Sequence, residues 1–261
     1  MLRIAIQAKG RLSEESLTLL REAGIEVDDT KRKFLSRSSN FPAEILYLRD
    51  DDIPQAVAQG VTDLGIVGYN EVCERGEAVE VVDRLGFGPC RISLAIPKSE
   101  EYTGLEYFNG KRIATSYPNI LSKFLKDKGI DASINVIAGS VEIAPTVGMS
   151  DAIFDIVSSG GTLVSNGLKE VEKVVFSEAV LISAGNLSDE KTKLLEQIKF
   201  RFNAVRDSRG KKYLLMNIPD DRIEDAIQIV PAMRSPTVLP LAQSGCIPLW
   251  MRAFCGRRSK V

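Results

Sequence analysis

The segment DAIFDIVSSGGTLVSNGLKEV, residues 151–171, concentrates the residue types that handle phosphorylated sugars. An apolar strand pattern carries Asp151 and Asp155, a turn of Ser158, Ser159, Gly160, Gly161 and Thr162 follows, and a helix pattern begins directly after it. Glycines let the backbone approach an anion, consecutive amides can point at its oxygens, and a helix N-terminus adds partial positive charge. Charge-assisted hydrogen bonds are worth about 1.5–3 kcal/mol each, so three or four of them can hold a monophosphate without a lysine. Asp155 stands three residues before the loop, near the ribose hydroxyls of a ligand whose 5′-phosphate occupies it. The alternative for the same residues is an ordinary Ser/Gly turn with a helix cap.

The chain contains no histidine. That removes Ser-His-Asp and Cys-His catalysis, histidine general bases and imidazole metal sites. Carboxylates, cations, hydroxyls and backbone amides remain, an inventory that fits magnesium held with a phosphorylated substrate better than zinc or redox iron. The run Asp50–Asp52 before Ile53 and Pro54 reads as a helix cap rather than a metal site. Arg11 follows a strand and a glycine, a poor place for a guanidinium to pack into a core. Glu142 in GSVEIAP is either a cleft acid or a first-turn helix carboxylate, and Tyr117 in SYPN either lines a pocket or packs a turn.

The elements needed to position these groups alternate along the chain. LRIAIQA reads as a strand, SEESLTLLREAG as a helix stopped by Gly24, EILYLR as a strand, RDDDIPQAVAQG as a helix and TDLGIVG as a buried strand. CRISLAIP leaves this first α/β unit, and a second starts near residue 94 with GKRIATSYPNILSKFLKDKG and INVIAGSVEIAPTVGMSDAIFDIV. VVFSEAVLISA returns to the first unit, followed by the helix SDEKTKLLEQIKFRFNAVR. The expected organisation is lobe I over 1–93, completed by about 179–205, lobe II over 94–178, and a further domain over 206–261. Two α/β lobes joined by two crossings form a cleft, the usual place for a small ligand.

The chain of 261 residues is 44% hydrophobic and 26% charged, an ordinary globular composition. Its 34 basic and 35 acidic side chains nearly cancel, so no global field favours nucleic acid or a membrane surface. No apolar run approaches the ~20 residues of a membrane span, and MLRIAIQAKGRL lacks the basic and apolar regions of a secretory signal, so a cytoplasmic location is expected. Cys73, Cys90, Cys246 and Cys255 are scattered, without the paired spacing of a zinc site or a disulfide framework.

From residue 1 to about 242 the sequence resembles the ATP phosphoribosyltransferase family. QAKGRLS, RDDDIP, GVTDLGIVG, LGFGPCRISLA, GKRIATSYPN, GSVEIAP and DIVSSGGTL are similar to that family's segments in order and spacing, and YLLMNIP with SPTVLPLA is similar to the C-terminal domain of its long form. The resemblance implies an α/β fold with a two-lobed, type II periplasmic-binding-protein-like core and a partial ferredoxin-like C-terminal domain. It implies a magnesium-dependent transfer of the 5-phosphoribosyl group from phosphoribosyl pyrophosphate to N1 of ATP, the first step of histidine biosynthesis. It further implies a homo-oligomer, dimer to hexamer, with histidine as inhibitor. By match of motif, Ser158 to Thr162 hold the 5′-phosphate and Asp155 the ribose hydroxyls, with Asp151 as a further candidate. Lys9, Gly10 and Arg11 match the loop facing the nucleotide or pyrophosphate. Arg11, Glu142 and Asp155 are the catalytic candidates, Tyr117 a nucleotide contact, and magnesium is carried by substrate phosphates rather than by a protein site.

A solute-binding protein would share the two-lobed architecture, but a ribose-phosphate loop argues against it. A regulatory subunit should have lost the loop acids or glycines, which are present here. The resemblance stops before QSGCIPLWMRAFCGRRSKV, in which no strand-and-helix pattern is visible. The expectation is therefore a ferredoxin-like domain reduced to a βαβ half by truncation, with an open strand edge and impaired histidine inhibition.

Overall fold

The structure is a computed structural model, and it describes residues 1–27, 34–229, 237–238 and 246–254. In chain order the elements begin with β1 (Leu2–Gln7), α1 (Arg11–Glu22), β2 (Leu35–Arg37), β3 (Ala43–Leu48), α2 (Ile53–Ala58), β4 (Leu64–Gly68), α3 (Tyr69–Arg75) and β5 (Glu80–Arg84). The second group is β6 (Cys90–Pro97), β7 (Arg112–Thr115), α4 (Pro118–Lys128), β8 (Ser133–Val136), β9 (Ala152–Val157), α5 (Gly161–Ser165) and β10 (Leu168–Ser177). Then come β11 (Ala179–Ser183), α6 (Asp189–Ser208), β12 (Lys211–Pro219), α7 (Ile223–Ile229), β13 (Thr237–Val238) and β14 (Cys246–Phe254).

The chain divides into two compact units, Met1–Phe202 and Asn203–Val261. Within the first unit the described strands form two sheets, in the orders β2-β3-β1-β4-β11-β5 and β10-β6-β9-β7-β8. β1 runs parallel to both β3 and β4, and Ile4, Ala5 and Ile6 are all fully buried. Such an unbroken apolar run is what a strand covered on both faces requires. The second sheet buries Ile92, Leu94, Ile96, Phe108, Ile113 and Phe154 in its own core. Only two short connections join the sheets, from Arg84 to Cys90 and through Glu178 between β10 and β11.

Several local expectations are corrected. Asp51 and Asp52 make no side-chain cap; Asp51 instead pairs with Arg49 at 3.1 Å and Arg75 at 3.4 Å, so two nearby guanidiniums outcompete the helix amides. β2 and β5 are strands that the sequence pattern did not reveal. β5 is an edge strand, and Glu80, Asp83 and Arg84 break its apolar pattern.

The second unit holds a three-stranded antiparallel sheet in the order β12-β14-β13. The last residues, in which the sequence shows no strand-and-helix pattern, nonetheless hold a strand. Cys246–Phe254 makes a nine-residue strand pairing with β12 from Lys211↔Phe254 to Pro219↔Cys246, and with β13 at Thr237↔Trp250 and Val238↔Leu249. The described elements are therefore β, α, β, β, one strand more than the βαβ half read from the sequence. β13 covers only the first two residues of TVLPLA, and the other four, with Cys255, lie outside the described residues. Within this unit Ile218, Leu214, Met216, Ile223 and Ala226 pack together, joining β12 to α7.

Candidate active site

β9 delivers the loop. It lies between β6 and β7 in the second sheet, and its C-terminal end opens into Ser158, Ser159 and Gly160 before α5. Gly160 has φ +82°, a left-handed conformation that strains any side-chain-bearing residue and sharpens the strand-to-helix turn. The first helical amide bond runs from Val164 N to the Gly160 carbonyl. The amides of Gly161, Thr162 and Leu163 therefore lie outside the helix ladder, and that of Gly161 touches Ser159 Oγ at 3.4 Å. Arg91, on β6, braces the loop from below: its Nη1 donates to the Ser158 carbonyl at 3.0 Å, and its guanidinium pairs with Glu170, which also accepts from Ser93 Oγ. Sequence reasoning missed Arg91, whose partners lie 67 and 79 residues away.

A cavity of about 270 Å³ lies over the loop, lined by Glu142, Asp155, Ser158, Ser159, Gly160 and Thr162 among others. Burial raises the Asp155 carboxyl to about 6; the amide of Ile156 opposes the shift and the negative charge of Glu142 adds to it. A carboxylate raised in this way is still mostly ionised at pH 7, when it can accept from hydroxyls. Asp151 is not brought to this cavity. It precedes β9 at the opposite end, accepting from Arg112 N at 2.9 Å and pairing with the Arg112 side chain at 3.1 Å, which lowers its carboxyl from the usual range. Six strand residues span ~20 Å, so Asp151 and the loop serve different places.

A second cavity, of about 280 Å³, lies between the two sheets and shares Ile156 and Ser158 with the first. Gly10, Arg11, Asp50, Asn70, Glu71, Cys90 and Tyr117 contribute to its walls. Gly10, at φ +99°, is the N-cap of α1. Arg11 is exposed and pairs with Glu15 at 2.7 Å, one turn along α1, while Lys9 is exposed on the same turn without lining the cavity. Tyr117 is only 9% exposed, so it both lines the cavity and packs, and the two readings open in the sequence coexist.

Sequence reasoning missed the polar cluster on α3. Asn70, Glu71 and Glu74 are buried at 5%, 6% and 3% exposure. Asn70 Nδ2 donates to Glu71 Oε1 at 2.9 Å and to Tyr117 Oη at 3.3 Å. Burial, with the charge of Asp50 nearby, raises the Glu71 carboxyl to about 7 against the opposing pull of Arg75. The one signal in the sequence was a polar triplet, Asn70, Glu71 and Glu74, on a helix directly after a buried strand. Cys73 and Cys90 are free thiols, each raised by burial.

A family model described as ATP phosphoribosyltransferase matches residues 49–204, more than half of the chain. The chain belongs to the ATP phosphoribosyltransferase family. A second model, HisG, C-terminal domain, matches residues 208–249. The ATP phosphoribosyltransferase of Bacteroides thetaiotaomicron is 61% identical over 245 residues, 94% of this chain and 87% of that protein. That of Cytophaga hutchinsonii is 52% identical, over 94% and 86%. Among solved structures, the ATP phosphoribosyl transferase (HisG:HisZ) complex from Thermotoga maritima matches with a TM-score of 0.67 and 27% identity, covering 78% of this chain and all of that one. The alkanesulfonate-binding protein SsuA from Xanthomonas axonopodis matches at 0.51 and 17% identity, which shows that the fold is of the periplasmic-binding-protein kind. As an ATP phosphoribosyltransferase the chain is a pentosyltransferase, moving the 5-phosphoribosyl group from phosphoribosyl pyrophosphate to N1 of ATP in the first step of histidine biosynthesis.

Proposed function

We propose that the reaction takes place where the two cavities meet, at Ile156 and Ser158, with phosphoribosyl pyrophosphate over the loop and ATP in the inter-sheet cleft. The shared wall is the observation that carries this reading, because it brings the anion cradle into contact with the inter-sheet cleft. The amides and hydroxyls of Ser158–Thr162 hold the 5′-phosphate. Asp155 accepts from the ribose hydroxyls, fixing the face of the sugar that N1 of adenine attacks. Pyrophosphate leaves as N1 bonds to C1, with inversion and oxocarbenium character, so no covalent nucleophile is needed. Alignment of two bound reactants can supply about 7–11 kcal/mol of the barrier. Arg11, with Lys9 beside it, offsets the charge of ATP or of departing pyrophosphate.

Magnesium fits this donor set. No group of three or more Asp, Glu or Cys side chains that could hold a metal ion occurs among the described residues, but magnesium is commonly held by one or two carboxylates with substrate phosphates. Of the two carboxylates lining the cavity, Asp155 serves the ribose hydroxyls, so Glu142 would hold the ion beside the substrate phosphates, where it would supply charge neutralisation to the pyrophosphate. Asp151 drops out of the substrate set, held as it is by Arg112. A homo-oligomer of two to six chains, histidine as an inhibitor and a cytoplasmic setting belong to the same reading. No helix among the described residues is long and apolar enough to cross a membrane.

The test is ultraviolet detection of phosphoribosyl-ATP formed by the purified protein from both substrates, with and without histidine and magnesium, beside sedimentation analysis. Product that depends on both substrates is expected. Binding of either substrate with no product would overturn the reading in favour of a ligand-binding protein.

A further inference from the structure

Tyr117 occupies the N-cap position of α4, yet a tyrosine phenol cannot cap its own helix, and no side-chain cap is made there. Pro118 fills the first helical position and carries no N–H, so the first amides needing partners are those of Asn119 and Ile120. Both are satisfied from the other sheet's side of the cleft. Glu74, on α3, accepts from Asn119 N through Oε1 and from Ile120 N through Oε2, each at 2.9 Å. Its backbone carbonyl accepts from Asn119 Nδ2 at 3.0 Å. A buried carboxylate is thus spent on the start of a helix 45 residues away, where the helix dipole favours it.

Asn70 holds the other end of Tyr117. Its Nδ2 donates to the phenol oxygen, while its own N–H donates to Ser177 Oγ at 3.0 Å and its Oδ1 accepts from the same hydroxyl at 2.8 Å. Ser177 ends β10, one residue before the single-residue crossing back to the first sheet. Tyr117 N donates to Thr115 Oγ1 at 2.8 Å, which fixes its backbone from its own strand. The tyrosine belongs to the second sheet by sequence, but its helix start and its phenol are both held by α3 of the first.

We propose that Glu74 and Asn70 are positioning residues for the ATP subsite: by capping α4 and holding the phenol, they fix the Tyr117 ring in the cleft wall. The inference rests on the assignment of that cleft to ATP. The measurement is steady-state KM for ATP at saturating phosphoribosyl pyrophosphate and the converse, with thermal midpoints, for Glu74→Ala, Glu74→Gln, Glu74→Asp, Asn70→Ala and Tyr117→Ala. Loss of charge-assisted bonds predicts that Glu74→Ala and Glu74→Gln raise KM for ATP about tenfold. Glu74→Asp, which keeps the carboxylate, should recover most of this, and KM for phosphoribosyl pyrophosphate should stay within about twofold for all three. Asn70→Ala should raise KM for ATP in the same direction, and combined with Tyr117→Ala should add little to the larger single effect. Should Glu74→Ala fail to fold, Glu74→Gln and Asn70→Ala carry the test. Lowered thermal midpoints with both KM values unchanged, or equal rises for both substrates, would overturn the proposal. Tyr117→Ala separates it from the assignment it rests on. If that variant leaves KM for ATP unchanged, the ATP cleft is wrong; if it raises KM while the Glu74 variants do not, only the positioning role falls.

Discussion

The two walls of the cleft are built on opposite rules. On the β9 side, the loop amides lie outside the helix ladder, its glycines carry no side chains, and Asp155 with Glu142 faces the cavity. On the α3 side, Asn70, Glu71, Glu74 and Tyr117 have already satisfied one another or the start of α4. Buried polar groups cost free energy unless bonded, so one wall stores unmet capacity and the other has used it up. Unmet capacity marks where a ligand completes the structure, and the satisfied cluster marks where shape is set.

The sharpest way to break this contrast is to change β9 at both ends. Asp155→Asn should lower kcat/KM for phosphoribosyl pyrophosphate about 100- to 1000-fold with little change in thermal midpoint, because the lost acceptor serves a ligand. Asp151→Asn should do the reverse, weakening the Arg112 contact while leaving that kcat/KM within about twofold. Equal kinetic losses from the two would erase the distinction between the ends.

Next in size is Gly161→Val. A Cβ at Gly161 would meet Ser159 Oγ at 3.6 Å, ordinary contact distance, and the backbone there is not left-handed. The fold should tolerate the change while the β-branched side chain crowds the phosphate, lowering kcat/KM for phosphoribosyl pyrophosphate about 100-fold. Turnover near the wild-type value would remove the phosphate from this loop.

A third experiment addresses the satisfied wall. The Glu71 carboxyl is raised to about 7, so the fold favours its proton. That stability is fully present below the usual carboxylate range and is lost as pH rises through about 7, amounting to about 3 kcal/mol. Glu71→Gln keeps an acceptor for Asn70 and has no charge to bury. Its gain in thermal midpoint over the wild type should be small at pH 4.5 and largest at pH 8; a gain that does not vary with pH would contradict the burial cause. The smallest effect expected is that of Arg11→Ala, about tenfold on use of ATP with ribose 5-phosphate binding unchanged, since Arg11 is exposed and its partner Glu15 lies on its own helix. Calorimetry showing an equal loss for ribose 5-phosphate would place Arg11 on the wrong wall.

How much of this was readable in the sequence depended on distance along the chain. Asp155 and the Ser158–Thr162 loop lie within eight residues, and strand, glycine turn and helix follow one another there, so local pattern sufficed. Glu74 acquires its meaning from Asn119, and Asn70 from Ser177 and Tyr117; nothing near either residue announces a partner 45 or 107 residues away. Asp151 lies only four residues before Asp155, and nothing in the sequence signals that Arg112 holds it at the entry to β9, away from the loop. β14 was missed for another reason. Ile247, Leu249, Met251 and Ala253 alternate as a strand should, but Pro248 among them argues against one, and only the ladder with β12 overrides that.

The order of strands in the first sheet has a consequence for the growing polypeptide. β11, residues 179–183, lies between β4 and β5. The second sheet's strands, residues 90–177, are contiguous and can pair as soon as they emerge from the ribosome. The first sheet must wait, with the inner edge of β4 bare, until more than a hundred further residues have been made. During that interval a strand of Leu64, Ile66 and Val67, all fully buried in the finished fold, is available to any passing chain. Nascent-chain proteolysis should therefore find the middle of this protein resistant to cleavage before its beginning.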